Sequence, residues 1–351
     1  MKMSVPEQVP GEHMAAEISQ EPSVLASIVE RQSEFADVAE AIAKRPPRFV
    51  LLAARGSSDH AAIYAKYLIE VLLGLPAGLV SPSTATLYGA RPDLRDVLFL
   101  TVSQSGGSPD LIEITEIARS QGALTVSVSN TQSSPLAAAA ELSVDIGAGI
   151  EKAVAATKTY AATLLSLYLL VDAVRGGKGA DAQGIGELAQ STLDGSIEGV
   201  QRAVDRYRFV DHVLTTGRGY SYPSALEGAL KLAETSYLAA RAYSGADLLH
   251  GPVAAVNSET AVLALTSAGK GGEAMRGVLD AVSGRGADVL AIGSAAADVP
   301  AALRINVAQT VEELAPILEI LPIQRLALGL SLARGGNPDN PRGLLKVTKT
   351  R

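Results

Sequence analysis

Residues 97–110 read VLFLTVSQSGGSPD. Six apolar or β-branched residues predict a short strand buried on both faces, and the Ser/Gly run after it marks a tight loop. Pro109 suits the first turn of a helix, where no N–H is needed, and the helical pattern continues to about Ser120. The stretch 49–60 has the same plan: FVLLAA, then RGSSDH, then a helix from about Ala61 to Leu73. LTVSV at 124–128 and LSVDI at 142–146 read as further strands, and a long helix from roughly Lys152 to Arg175 closes the series. Short apolar strands alternating with helices predict an α/β fold with a parallel sheet flanked by helices, three layers deep and flavodoxin-like.

The order then returns. VLTT at 213–216 leads into GRGYSYP and a helix to about Ala239. VLAL at 262–265 leads into TSAGKGGE and another helix. VLAI at 289–292, LRINV at 303–307 and a helix ending near Arg334 complete it. Gly56 and Gly219 are 163 positions apart, and so are Gly106 and Gly269. Gly122 and Gly286, each just before a strand, are 164 apart. Three marks at nearly one offset point to a duplicated α/β unit.

Composition narrows the function. With 351 residues, 47% hydrophobic and 19% charged, the chain has enough apolar surface to fold and length for two domains. A net charge of −7 without a basic cluster argues against nucleic acid or anionic membrane as partners. The sequence has no cysteine, which removes disulfides, thiolate metal sites and a cysteine nucleophile. His13, His60, His212 and His250 are scattered, so no metal site is expected. No Trp and 4% aromatics speak against a base-stacking platform. The polar start, MKMSVPEQVPGEH, lacks the apolar core of a secretion signal. The longest apolar stretch, Tyr160 to Val171, falls short of the roughly twenty residues that cross a bilayer. A cytoplasmic protein is expected.

Ligands of such sheets bind beyond the carboxyl ends of the strands. There the loop 103–108 offers Ser103, Gln104, Ser105 and Ser108, with amides freed by Gly106 and Gly107. Hydroxyls and N–H groups at a helix N-terminus suit a phosphate dianion. The same residues also make an ordinary N-cap and turn. Neither the Walker pattern nor G-x-G-x-x-G is present at these loops. In the second half, Glu227, Lys231 and Glu234 share one helix face. They read either as a solvated salt-bridge stripe or as acid–base groups. His250, in ADLLHGPVAAV, reads as a hydrogen-bonded structural histidine or as a proton shuttle. Lys346, in NPDNPRGLLKVTKTR, reads by itself as a tail charge.

Together these segments resemble the double sugar-isomerase (SIS) domain family, whose members bind phosphosugars. AAEISQEPSVL at 15–25, ALEGALKLAETSY at 225–237, ADLLHGP at 246–252 and PRGLLK at 341–346 follow, in order, segments of the isomerase domain of glucosamine-6-phosphate synthases. The resemblance divides the chain into a lead-in (1–45), two tandem SIS domains (46–176 and 206–336), a helical connection (177–205) and a tail (337–351) that closes the active site. It implies phosphate and sugar contacts from Ser57, Ser58, Ser103, Gln104, Ser105, Ser108 and Val154. It makes Glu234 the carboxylate that moves a proton between C1 and C2, and sets Lys231 near the sugar hydroxyls. Lys346 falls on a Schiff-base lysine. His250 falls on a ring-opening histidine donated by a neighbouring subunit, which implies a homodimer with shared sites. Ala156 stands where the synthases have serine.

The synthases cut glutamine with a cysteine, and this sequence has none. RGSSDHA, SQSGGSPD, EKAVAATK, LLHGP and NPDNPRGLLKVTKT look most like SIS-type glucosamine-6-phosphate deaminases. The implied reaction is glucosamine 6-phosphate plus water to fructose 6-phosphate plus ammonia, with no metal or redox cofactor. The rivals are a related SIS enzyme, either an ammonia-independent isomerase or a fructosamine-6-phosphate deglycase, and a non-catalytic sugar-phosphate sensor.

Overall fold

The computed structural model describes residues 9–346. The terminal segments 1–8 and 347–351, including the end of the tail singled out above, lie outside the described residues. Two helices, α1 (Glu12–Glu30) and α2 (Glu34–Lys44), lead into the first sheet. There β1 (Phe49–Ala53), α3 (Ser57–Leu68), β2 (Ala77–Leu79), α4 (Ser83–Thr86), β3 (Val97–Val102) and α5 (Pro109–Ser120) follow one another. Next come β4 (Leu124–Ser129), α6 (Pro135–Ala139), β5 (Leu142–Asp145) and α7 (Lys158–Val174). The strands are all parallel in the order β2-β1-β3-β4-β5. Both β3 and β4 are buried along their whole length, as continuous apolar runs in a doubly covered sheet should be.

A long helix, α8 (Ile185–Tyr207), spans most of the expected connection and leads to the second sheet. That half contains β6 (His212–Gly217), α9 (Tyr222–Ser236), β7 (Ala239–Ser244), α10 (Gly245–Leu249) and β8 (Ala261–Leu265). It ends with α11 (Lys270–Ser283), β9 (Asp288–Gly293), β10 (Leu303–Asn306) and α12 (Ala315–Ala333). Its order, β7-β6-β8-β9-β10, repeats the first sheet strand for strand. The duplication read from the glycine spacing is therefore a duplication of topology.

Three local expectations change. Helix α7 begins at Lys158, not near Lys152. The preceding residues are held in a loop because the buried Glu151 carboxylate accepts the Thr157 and Thr159 amides at 3.0 and 3.1 Å. The helix after β1 starts earlier, at Ser57, and gives way to a wide π-type turn at Ile69–Leu73. The short edge strands β2 and β7 lack apolar runs and went unread.

One continuous core joins the halves. Helix α12 packs against α8, α9, α7 and α1, while α3 of the first half packs against α9 of the second. By length and composition α12 could cross a membrane, but 78% of its apolar window is buried in the fold. It exceeds the stretch from Tyr160 to Val171 in length, and the charged Glu319 and Arg325 within it hid it from a search for unbroken apolar runs.

The two halves differ where strand meets loop. At the start of α11, which matches α5, the Glu312 carboxylate accepts the amides of Lys270 at 3.0 Å and Gly271 at 2.6 Å. The second-half cradle is thus filled by the chain itself. Nearby, Glu319 is fully buried; one carboxylate oxygen accepts the Ser267 amide at 3.2 Å and the other has no hydrogen-bond partner. Burial pushes its pKa up to about 7 from an ordinary 4.5, against the opposing effect of Ser267 and Ser221. The unfolded chain ionises at the lower value. The stability held by the protonated carboxyl is therefore complete below pH 4.5 and is lost as the pH rises through 7. At about 1.4 kcal/mol per pKa unit the swing is roughly 3 kcal/mol. Glu319→Gln keeps the acceptor and removes the titration. Urea unfolding at pH 5 and pH 8 should show a smaller loss of stability between the two in the variant than in the wild type.

Candidate active site

The C-terminal ends of β1 and β3 open onto a cavity of about 360 Å³. Its floor is the loop between β3 and α5. There Ser103 Oγ accepts the Gly106 amide at 3.2 Å and Ser105 Oγ accepts that of Gly107 at 3.3 Å. Each hydroxyl accepts from backbone and keeps its own proton for an anion. Gly106 has φ of +60°, and a Cβ there would lie 2.3 Å from Ser134 Oγ, so only glycine fits. Ser57 and Ser58, in the first turn of α3, face the same space with Gln104 and Ser108. Two helix N-termini, those of α3 and α5, converge here. Arg55 lines the wall and pairs with the buried Asp110 at 2.9 Å. Sequence reasoning passed over it, although a cation directly after a strand was the available signal.

Helix α9 supplies the opposite wall. Glu227 is fully buried and Lys231 is 1% exposed. Lys231 Nζ lies 2.5 Å from Glu234 Oε2, 3.3 Å from Glu227 Oε1 and 3.3 Å from Ser57 Oγ. The solvated-stripe reading of these residues is wrong, because α9 turns this face inward against α3. Burial alone would raise the Glu227 pKa, but Lys231, His60 and Ser57 together hold it below the ordinary value. Burial likewise disfavours the charged Lys231, and Glu227 with Glu234 overcomes it, so its pKa lies above the ordinary lysine value. Glu234, 22% exposed at its side chain, is the member of the triad that looks into the cavity with Lys231.

The third wall comes from distant sequence. Glu17 on α1 accepts the amides of Lys152 and Ala153 and holds the loop before α7. The tail returns across α1, where the Asp339 carboxylate accepts the amides of His13 at 3.0 Å and Met14 at 2.8 Å. The Val154 amide donates to the Asp339 carbonyl at 3.3 Å. Tyr237, in the left-handed region at the end of α9, accepts the Arg342 amide at 2.8 Å and stacks under its guanidinium. Lys346 then reaches the cavity, with Nζ 2.7 Å from both Glu151 Oε2 and the Ala153 carbonyl. Glu151 is a second member that sequence reasoning missed.

The structure brings Ser57, Ser58, Ser103, Gln104, Ser105, Ser108, Val154, Lys231, Glu234 and Lys346 to one cavity, with Ala156 beside them. It does not bring His250 there. That residue ends α10, exposed, and is not among the cavity-lining residues of its own chain. Among the described residues no group of three or more His, Asp or Glu is arranged to hold a metal.

The SIS domain model matches residues 45–173 and 208–332, and the chain belongs to that family. It is similar to the glutamine–fructose-6-phosphate aminotransferase (isomerizing) of Gloeobacter violaceus, with 35% identity over 85% of this chain and 51% of that protein. The enzyme of the same description from Methanothermobacter thermautotrophicus shares 31% identity, covering 95% and 56%. The chain thus spans about half the length of these curated relatives. Among solved structures, a Silicibacter pomeroyi protein provisionally described as a phosphosugar isomerase superposes with a TM-score of 0.85. It is 32% identical, and the match covers 94% of this chain and all of that one. The fold is also that of the glucosamine-6-phosphate deaminase of Thermotoga maritima, at a TM-score of 0.80, 23% identity and coverage of 97% and 100%.

Lys231→Met leaves Glu227 and Glu234 facing each other without their shared cation. Breaking a buried ion pair costs about 3–5 kcal/mol, so the urea midpoint at pH 7.5 should fall sharply. The deficit should shrink as the pH is lowered and the uncompensated carboxylates take up protons. A midpoint unchanged at pH 7.5 would mean that the triad is solvated.

Proposed function

We propose that the chain is a phosphosugar isomerase of the deaminating kind, converting glucosamine 6-phosphate and water to fructose 6-phosphate and ammonia. The observation that carries this reading is the position of Glu234. It stands on one wall of a cavity whose other wall is a double serine cradle at two helix N-termini. The cradle takes the phosphate through Ser57, Ser58, Ser103, Ser105 and Ser108. Anchoring there orients the sugar and lends remote binding energy to the reacting carbons. Glu234 removes the C2 proton and returns it to C1 through an enolamine intermediate, which leaves an imine at C2. Water adds to that carbon, the C–N bond breaks and ammonia leaves the ketone, while Lys231 steadies the oxygens and Lys346 closes the pocket beside Glu151. The similarity to isomerizing aminotransferases supports the proton transfer, and the motifs EKAVAATK and NPDNPRGLLK support release of ammonia.

Ammonia and fructose 6-phosphate should appear together when the protein is given glucosamine 6-phosphate. Glu234→Gln should lower kcat by about 10²-fold or more with KM within a few-fold, because a positioned base acts mainly on the transition state. Isomerisation without ammonia would select the rival isomerase, and binding without turnover the sensor.

His250 is exposed on its own chain, and in this reading it opens the sugar ring in a neighbour's cavity. The active unit is then a homodimer. Mixed Glu234→Gln and His250→Ala subunits should regain activity through hybrid sites that hold both intact residues. No recovery, with subunit exchange demonstrated, would place both residues in one chain's site.

A further inference from the structure

Helices α3 and α9 meet across the boundary between the two halves, and two polar links join them. Ser57 Oγ accepts from Lys231 Nζ at 3.3 Å. One turn further along α3, His60 Nδ1 lies 2.8 Å from Glu227 Oε2. Glu227 has no access to water: His60 supplies the hydrogen bond to Oε2, while Oε1 has no hydrogen-bond partner and only the ion-pair contact of Lys231 at 3.3 Å. His60 itself is 16% exposed and does not line the cavity. It therefore acts on the cavity through Glu227 and not on a bound sugar. The charged and titratable groups around this link are few. Asp59 adjoins His60 on α3, Lys231 and Glu234 lie on α9, and the buried Tyr160 of α7 is close enough for its hydroxyl to feel Glu227.

We propose that His60 is a positioning residue for proton transfer. Its Nδ1–H donates to Glu227 Oε2 and fixes that carboxylate. Glu227 then holds Lys231, and Lys231 holds Glu234 at the angle from which it works. Because His60 lies three residues beyond Ser57, the helix that reads the phosphate also sets the register of the proton carrier. The inference rests on Glu234 being that carrier. It needs the Nδ1–H tautomer and no change of charge on the ring. The function is to keep the two halves of a cross-boundary site in step, so that an occupied cradle and a correctly aimed carboxylate go together.

The test compares His60→Ala, His60→Asn and His60→Gln in the full-length chain. Asn places an N–H close to the lost Nδ1–H, whereas Gln carries its amide about one bond further out. His60→Ala should lower kcat roughly 10- to 10²-fold with KM within about threefold, since small misplacements of a reacting group cost this much. His60→Asn should restore kcat to within a few-fold and keep the wild-type pH profile, and His60→Gln should not restore it. Should the Ala variant fail to fold, the Asn–Gln contrast decides alone. Equal activity of Ala and wild type, or equal loss in Asn and Ala, overturns the proposal; the second outcome would mean that the imidazole itself is required. A second readout does not depend on the reaction. Inorganic phosphate should slow amide hydrogen exchange in the α9 segment 222–236 in the wild type and His60→Asn, and not in His60→Ala. Phosphate protection of α9 that persists in His60→Ala also overturns it. A wild type that protects α9 but does not turn over glucosamine 6-phosphate would refute the deaminase reading and leave the coupling standing.

Discussion

A lysine ammonium with 1% of its surface exposed lies between two carboxylates, one of them with none. Taking such charges out of water is expensive, and only short contacts on every side make the arrangement tolerable. The helix that carries all three residues must therefore lie against another element that supplies polar partners, and α3 does this with Ser57 for Lys231 and His60 for Glu227. The relation between the two sheets follows from that need. The apolar packing of α12 against α8 and α9 holds the halves together, but packing alone is tolerant of small slides. The buried charges are not, because a shift of about one ångström would leave a carboxylate unmatched.

Loop geometry around the cavity obeys the same economy of polar partners. The segment 151–157 has little regular structure of its own, and it is held by two carboxylates, one from α1 and one of its own. Glu17 binds its start and Glu151 binds its end, while Asp339 ties the returning tail to both α1 and Val154. Lys346 meets Glu151, which is also the group that terminates this loop and begins α7. A change in the position of the tail is thereby felt at the loop beside the serine cradle.

How much of this was legible in the sequence depended on the range of the interactions. The strands β1, β3, β4, β6, β8 and β9 announce themselves as local apolar runs, and the serine cradle as a glycine-rich turn before Pro109. Edge strands β2 and β7 do not, since a strand paired on one side with half-exposed residues needs no apolar run. Helix α12 was legible as the closing helix, but Glu319 and Arg325 within it interrupt its apolar run. The face shared by Glu227, Lys231 and Glu234 was visible from spacing, but whether it met water or protein depended on α3, more than 150 residues away in the chain. His60 and Glu151 were invisible for the same reason: each matters through a partner that is distant in sequence. The motif resemblance filled part of this gap for Glu234, Lys231 and Lys346, which the fold gathers into one cavity. His250 stands apart from it.

The Glu312 carboxylate at the head of α11 has an implication of another kind. A side chain tethered to its own binding loop is present at an effective concentration that a dissolved anion rarely matches. The second half thus carries its own competing carboxylate at the amides that an anion would use. Duplication normally produces two equivalent vacancies. Here the second copy's loop is filled by its own chain, which leaves the first-half cradle as the one of the pair with its amides and hydroxyls open, and the second half serves as the platform on which α9 presents its charges.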